Sequence, residues 1–237
     1  MNSIINKKVK LISLGHIDYQ RAWKTQEEIF QKTINLKIEN RKKGTNQITE
    51  NYIITCSHPH VYTLGKSGNE KNLLIDKKII KNKKLEYYKI NRGGDITYHG
   101  PGQMVIYPIL DLENFFTDIH LYLRKLEEAI IKTLKLYKIK AGRIEKLTGV
   151  WVDDKSNNPK KICAMGVKCS RWVTMHGLAL NVSTDLSYFN NIIPCGINDK
   201  TVTSIENELN EKVSMKKIEP LIINNLAKVF DFKLDKH

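Results

Sequence analysis

Between residues 91 and 112 the chain reads NRGGDITYHGPGQMVIYPILDL, which sets Gly93, Gly94, Gly100 and Gly102 in a polar turn that runs straight into an alternating apolar segment. The preceding segment, KLEYYKI, has the β-branched and aromatic content of a strand, so the glycines fall between two strands. This placement constrains the fold. A phosphate-binding P-loop needs G-x-x-x-x-G-K-[ST], and a dinucleotide fold needs G-x-G-x-x-G between a strand and a helix; neither pattern is present. Glycine permits positive φ and close backbone approach, so the stretch reads either as a tight hairpin or as a loop against which a ligand lies. Arg92, Thr97, His99 and Gln103 within it favour the ligand, because a turn has no need of so many hydrogen-bonding side chains.

The order of the remaining elements sets the fold class. DYQRAWKTQEEIFQKTINLKIENRKKG places Tyr19, Trp23, Ile29, Phe30, Ile34 and Ile38 on one helical face and ends at Gly44. NYIITCSHPHVYTLGKSG gives a short strand broken at Pro59. DIHLYLRKLEEAIIKTLKLYKI is an amphipathic helix carrying Leu123, Leu126, Ile130, Leu134 and Tyr137. Strands follow at GVWVDD, KICAMGVKC and HGLALNVS, and a last helix is expected to start near Pro220, since proline suits a first turn. This mixed order, without a regular βαβα alternation, predicts an α+β fold: one domain over 1–237, with a mixed, largely antiparallel sheet flanked by helices.

At 237 residues and 41% hydrophobic content the chain can bury an ordinary single core. No apolar run approaches the ~18 to 20 residues of a membrane span, and the start MNSIINKKVKLISLG lacks a secretory apolar stretch. A soluble cytoplasmic protein is expected, with an organelle matrix as the alternative. The four cysteines have no scaffold-like spacing and are read as free thiols. The net charge of +14 invites a nucleic-acid reading, but the lysines are scattered and no aromatic-studded basic stripe is present. The weaker consequence is that an acidic partner would be steered toward the surface.

Two further stretches carry chemistry. In KKICAMGVKCSRWVTMHGLALNV, alternation puts Ala164 and Gly166 on one face of a strand and Gly177 and Ala179 on one face of the next. If the strands pair, two smooth walls leave a groove for a thin apolar chain; otherwise the small residues serve close helix packing. In NNIIPCGIND, Cys195 lies in a loop between Pro194 and Gly196, where a thiol is reachable. A zinc site using Cys163, Cys169 and His176 fails on distance, because six strand residues span about 20 Å and an ion with ~2.3 Å bonds to sulfur cannot hold both thiols.

Taken together, R-G-G-x-x-T-x-H-x-x-G-Q, K-I-x-x-x-G, H-G-L-A-L-N-V and P-C-G, in this order, resemble the lipoyl(octanoyl) transferases of the lipoate and biotin protein ligase superfamily. The likeness runs from SHPHVYTLG through Cys195. It implies a single α+β domain that moves an octanoyl group from acyl carrier protein to a lysine of a lipoyl domain through a cysteine thioester. The acceptors it implies are the E2 subunits of 2-oxoacid dehydrogenases and the glycine cleavage H protein, with no ATP, metal, nucleic acid or membrane involved. Cys195 matches the nucleophile and Lys161 its partner. The run Arg92, Gly93, Gly94, Asp95, Ile96, Thr97, Tyr98 and His99 matches an acyl-binding segment, as do Ala164, Met165 and Gly166, and Gly177, Leu178 and Ala179. His58, His99, His176 and Gln103 are candidate supporting groups, and backbone N–H groups of the glycine loops are candidates for stabilising the oxyanion. Ser57 stands where many relatives have an acidic residue, which bears on acceptor recognition. An ATP-dependent ligase of the same fold is the nearest alternative; it would need no cysteine.

Overall fold

The computed structural model describes residues 5–76, 80, 85–193 and 201–235. Cys195 therefore lies outside the described residues. Twelve strands are described: β1 (Lys8–His16), β2 (Asn51–Ser57), β3 (Val61–Leu64), β4 (Glu86–Lys89), β5 (Ile96–His99), β6 (Gln103–Ile109), β7 (Ala141–Ile144), β8 (Leu147–Val152), β9 (Lys160–Ser170), β10 (Val173–Asn181), β11 (Thr201–Val202) and β12 (Lys233–Leu234). The helices are α1 (Tyr19–Lys43), α2 (Ile119–Leu136), α3 (Ile205–Leu209) and α4 (Met215–Phe230). A nine-stranded sheet runs β12-β1-β2-β6-β10-β9-β8-β7, with β11 also on β9, and a second sheet runs β4-β3-β5. Pairings β1/β12, β1/β2, β9/β11 and β3/β4 are parallel and the rest antiparallel, so the mixed α+β architecture expected from the sequence is the one found.

The central strands are apolar on both faces because helices cover both. In β6, Val105, Tyr107 and Ile109 point to α1, where they meet Ala22, Phe30 and Ile34. The alternate residues Met104 and Ile106, with Leu178 and Leu180 of β10, pack with Leu126, Ile130 and Leu134 of α2 and Ile222 and Leu226 of α4. Helix α1 starts where Asp18 accepts the Arg21 N–H and stops at Gly44, whose φ of 64° is left-handed. Trp23, Ile29 and Ile38 lie at the margin of its buried stripe, partly covered.

Two expectations are corrected. The last helix begins at Met215 and carries Pro220 inside it. Ile218, Ile222 and Leu226 form one i, i+4, i+8 buried stripe, and anchoring Ile218 in the core outweighs the single backbone bond that proline forfeits. The glycine-rich stretch is not one loop either. Strand β5 lies within it and pairs with β3, Leu64 opposite Ile96 and Val61 opposite His99, leaving one turn over 91–95 and another over 100–102. Four residues are too few to announce a strand by periodicity.

Candidate functional site

The paired-strand condition for a groove is met in register: in the β9/β10 ladder Ala164 faces Ala179 and Gly166 faces Gly177. The ladder borders a cavity of about 470 Å³, a size that suits a small-molecule ligand. The glycines have a different purpose from the open walls expected. A Cβ on Gly166 would come 2.7 Å from the Gly93 carbonyl oxygen, and one on Gly177 would come 2.2 Å from that of Ile106. They admit neighbouring backbone, and the cavity is shaped by what that backbone brings.

What it brings at Gly166 is the turn after β4. Buried Arg92 donates through Nη2 to the Thr63 carbonyl (2.7 Å) and hydroxyl (3.0 Å), and through Nη1 to the Gly93 carbonyl (3.1 Å). The Gly93 N–H donates to the Val167 carbonyl at 2.9 Å, which ties the turn to β9. That amide is committed to the strand and is not offered to a ligand. Gly94, at φ 90°, takes a conformation closed to most side chains. Asp95 secures the far side of the turn, accepting from Ile96 N–H (2.7 Å) and Asn69 N–H (3.2 Å).

Of the residues singled out in the sequence, Arg92 to Thr97, His99, Lys161, Ala164 to Gly166 and His176 to Ala179 all border this one cavity. Tyr98 does not. As the alternate residue of β5 it packs in an aromatic cluster with Tyr62 and Phe189, and it is bonded to His60 Nδ1 through its hydroxyl. Gln103 and His58 act from behind. Gln103 accepts from His99 Nδ1 (2.8 Å) and donates to Asn181 Oδ1 (2.9 Å), and His58 bridges the Ile17 carbonyl (2.9 Å) and the Tyr107 hydroxyl (2.8 Å). Tyr19, Val105, Tyr107, Leu123 and Phe189 also line the cavity. As hydrophobic residues at core periods they carry no signal that separates them from the core, and only the topology shows their role.

Lys161 stands in β9 with its Nζ 4.6 Å from the centre of the Trp151 ring, an ammonium over an aromatic face. The segment from Thr201 runs beside it: Thr201 pairs with Lys160, Val202 with Lys161, and the Thr203 N–H donates to the Lys161 carbonyl at 3.0 Å. On the other flank, Ile193 N–H donates to the Asn72 carbonyl at 2.8 Å. The Lys161 to Cys195 distance itself lies outside the described residues. Cys56 and Cys163 are buried and their thiols are pushed far up by that burial, while Cys169 is exposed at the hairpin end. Among the described residues no cluster of His, Cys, Asp or Glu is arranged to hold a metal ion, and no helix is long and apolar enough to cross a membrane.

Burial holds three histidines neutral, pushing His58 down to about 4 and His99 and His176 down to about 3, with the Arg92 charge adding to the shift at the last two. Below the ordinary histidine pKa the unfolded chain binds protons that the folded chain refuses, so stability falls as pH falls through that window. Each group contributes about 1.4 kcal/mol per pH unit. Between pH 7.5 and 5.5 the loss is expected to reach roughly 4 kcal/mol for the three together. Urea midpoints at the two pH values measure it, and equal midpoints would contradict the neutral buried state.

Comparison with known proteins follows the same lines. Residues 18–227 match the family model of the lipoyl protein ligase A/B catalytic domain. The octanoyltransferase of Christiangramia forsetii is 55% identical over 231 residues, covering 97% of this chain and 99% of that protein. That of Flavobacterium johnsoniae is 56% identical over 231 residues, covering 97% and 100%. Among solved structures, the bi-partite lipoate protein ligase of Thermoplasma acidophilum superposes with a TM-score of 0.70 at 14% identity, over 99% of this chain and 87% of that one. A lipoate-protein ligase A bound with ATP gives 0.69 at 14% identity, over 98% and 88%. At such identities the structures report a shared fold.

Proposed function

The chain belongs to the lipoyl protein ligase A/B catalytic-domain family, and from that premise we propose the route by which this acyltransferase moves an octanoyl group in protein lipoylation. The donor is octanoylated acyl carrier protein, and the acceptor is a lysine of a lipoyl domain, in E2 subunits or the H protein. Cys195 gives up its proton and attacks the donor thioester as thiolate; its sulfur–carbonyl bond forms as the bond to the carrier sulfur breaks, and the carrier sulfur takes up that proton and leaves as a thiol. The acceptor amine then attacks the acyl-enzyme. An amide forms, the bond to Cys195 breaks, and the amine's proton goes to the departing sulfur. Thioester exchange is nearly isoenergetic and amide formation runs downhill, so the route needs neither ATP nor metal.

The observation that carries this reading is the single cavity bordered by the glycine turn, the small-residue ladder and Lys161. Its apolar ladder suits a hydrocarbon chain, and the Lys161 ammonium at one end suits a thiolate, which a neighbouring positive charge favours. The cytoplasm is the compartment such free thiols and such a donor fit.

Intact-protein mass after incubation with octanoyl carrier protein, without ATP, tests the route. An added octanoyl group removed by a lipoyl domain is the expected result. An adduct that forms only with free octanoate and ATP would instead favour an adenylating ligase.

A further inference from the structure

The cavity has a definite end. Every rung of the β9/β10 ladder from Ala164 opposite Ala179 to Val167 opposite His176 borders it, and the next rung, Lys168 opposite Met175, does not. Met175 is instead fully buried against α1. Lys161 lies on the other side of Ala164, so the ladder leads from the lysine to His176. Three residue steps of strand span about 10 Å. An extended eight-carbon acyl chain, a zigzag of ~1.5 Å bonds, spans about 9 Å.

His176 is built to stay where it is. Its φ of 62° is left-handed for a non-glycine residue within a strand, a conformation that persists only when its surroundings impose it. Its N–H finds no backbone partner on β6, where pairing begins at Leu178 and the nearer residue is Pro108; it donates to Gln26 Oε1 of α1 at 3.2 Å. Gln26 is itself fully buried. The His176 side chain is 2% exposed, yet its Nε2 has no hydrogen-bonding partner among the described residues. With Nε2 itself closed off from solvent, the imidazole stands as a fixed volume at the end of the apolar channel, and further methylenes would have to displace it.

We infer that His176, seated by Gln26, is the specificity-determining residue that ends the acyl channel at eight carbons. This rests on the octanoyl-transfer reading above. The side chain sets the length by its volume, and the reacting carbonyl lies at the Ala164 end of the ladder, which Lys161 approaches from three positions earlier in β9, remote from His176. His176 is therefore a specificity-determining group, and the effect of changing it is read in the ratio of the chains accepted, whatever happens to the overall rate.

The test compares octanoyl and decanoyl carrier protein as donors to one lipoyl domain, for the wild-type chain, His176→Ala and His176→Asn. Each methylene a cavity newly buries is worth about fourfold, and removing an imidazole opens room for about two, so His176→Ala should raise the decanoyl-to-octanoyl ratio of kcat/KM by about tenfold or more. His176→Asn opens less space, so it should fall between. A ratio taken within one preparation is insensitive to the fraction folded, and the asparagine variant carries the test if the alanine variant does not fold. A wild-type chain inert toward both donors would overturn the transfer reading and this inference with it. An active wild type beside variants whose ratios stay within about twofold of its own would overturn the role of His176 alone.

Discussion

Cys195→Ser is expected to abolish both the acyl-enzyme and octanoyl transfer, a loss on the order of 10⁴-fold or more, because a serine hydroxyl is essentially un-ionised at neutral pH and is a far weaker nucleophile than a thiolate. The other cysteines are poor substitutes. Cys56 and Cys163 are buried with raised pKa values, and Cys169, though exposed at the far end of β9, is also raised by partial burial. Each changed to Ala should leave transfer intact. Lys161→Ala should slow acylation of Cys195 by about 10² to 10⁴-fold. If the lysine acts through its charge, raising pH from 7 to 9 restores much of the thiolate of an ordinary thiol, a gain of about twentyfold. If it acts as the proton acceptor, the same change restores less, since the proton's destination is missing. Peptide mapping of the octanoyl adduct decides the nucleophile: label retained on Cys169 in Cys195→Ser would overturn the assignment.

How much of this was legible before the fold is clearest at particular residues. Ala164, Gly166, Gly177 and Ala179 announced a pair of strands with small residues on one face, and the ladder pairs them as expected. That Gly166 and Gly177 are small for the sake of Gly93 and Ile106, rather than to leave space, was not legible, because close backbone approach depends on which segments meet. Tyr98 is indistinguishable from its neighbours in the sequence, and only its alternation within a four-residue strand turns it away from the cavity. Tyr19, Tyr107 and Gln26 carry no signal of a cavity. A residue on a helix or strand face facing a core and one facing a cavity have the same periodicity. Lys161 and Cys195 were legible only through their place in a resembling set of motifs, since a lysine in a strand and a cysteine in a loop are individually commonplace.

The two ladder glycines should fail in different ways when a methyl is added. At Gly177 the new Cβ would stand 2.2 Å from the Ile106 carbonyl oxygen and 2.6 Å from Pro108 Cδ, both in β6, which is held between β2 and β10 at the centre of the sheet. Neither neighbour can retreat without breaking a ladder. Gly177→Ala is therefore expected to destabilise the fold by about 3 kcal/mol or more, lowering Tm by roughly 10 °C for a chain of this size. At Gly166 the Cβ would stand 2.7 Å from the Gly93 carbonyl oxygen and 3.1 Å from Arg92 Cδ. That neighbour is a surface turn with Gly94 at its apex, and it can shift by giving up the bond from Gly93 to Val167. Gly166→Ala should consequently cost only about 1 kcal/mol, while displacing the turn that closes the cavity and lowering kcat/KM for octanoyl transfer by about 10²-fold. Thermal unfolding and transfer kinetics on the two variants separate the cases. A Gly166→Ala protein with wild-type kinetics would show that the turn need not pack on β9 for acyl binding, and a Gly177→Ala protein with an unchanged Tm would show that β6 yields where its place at the centre of the sheet says it cannot.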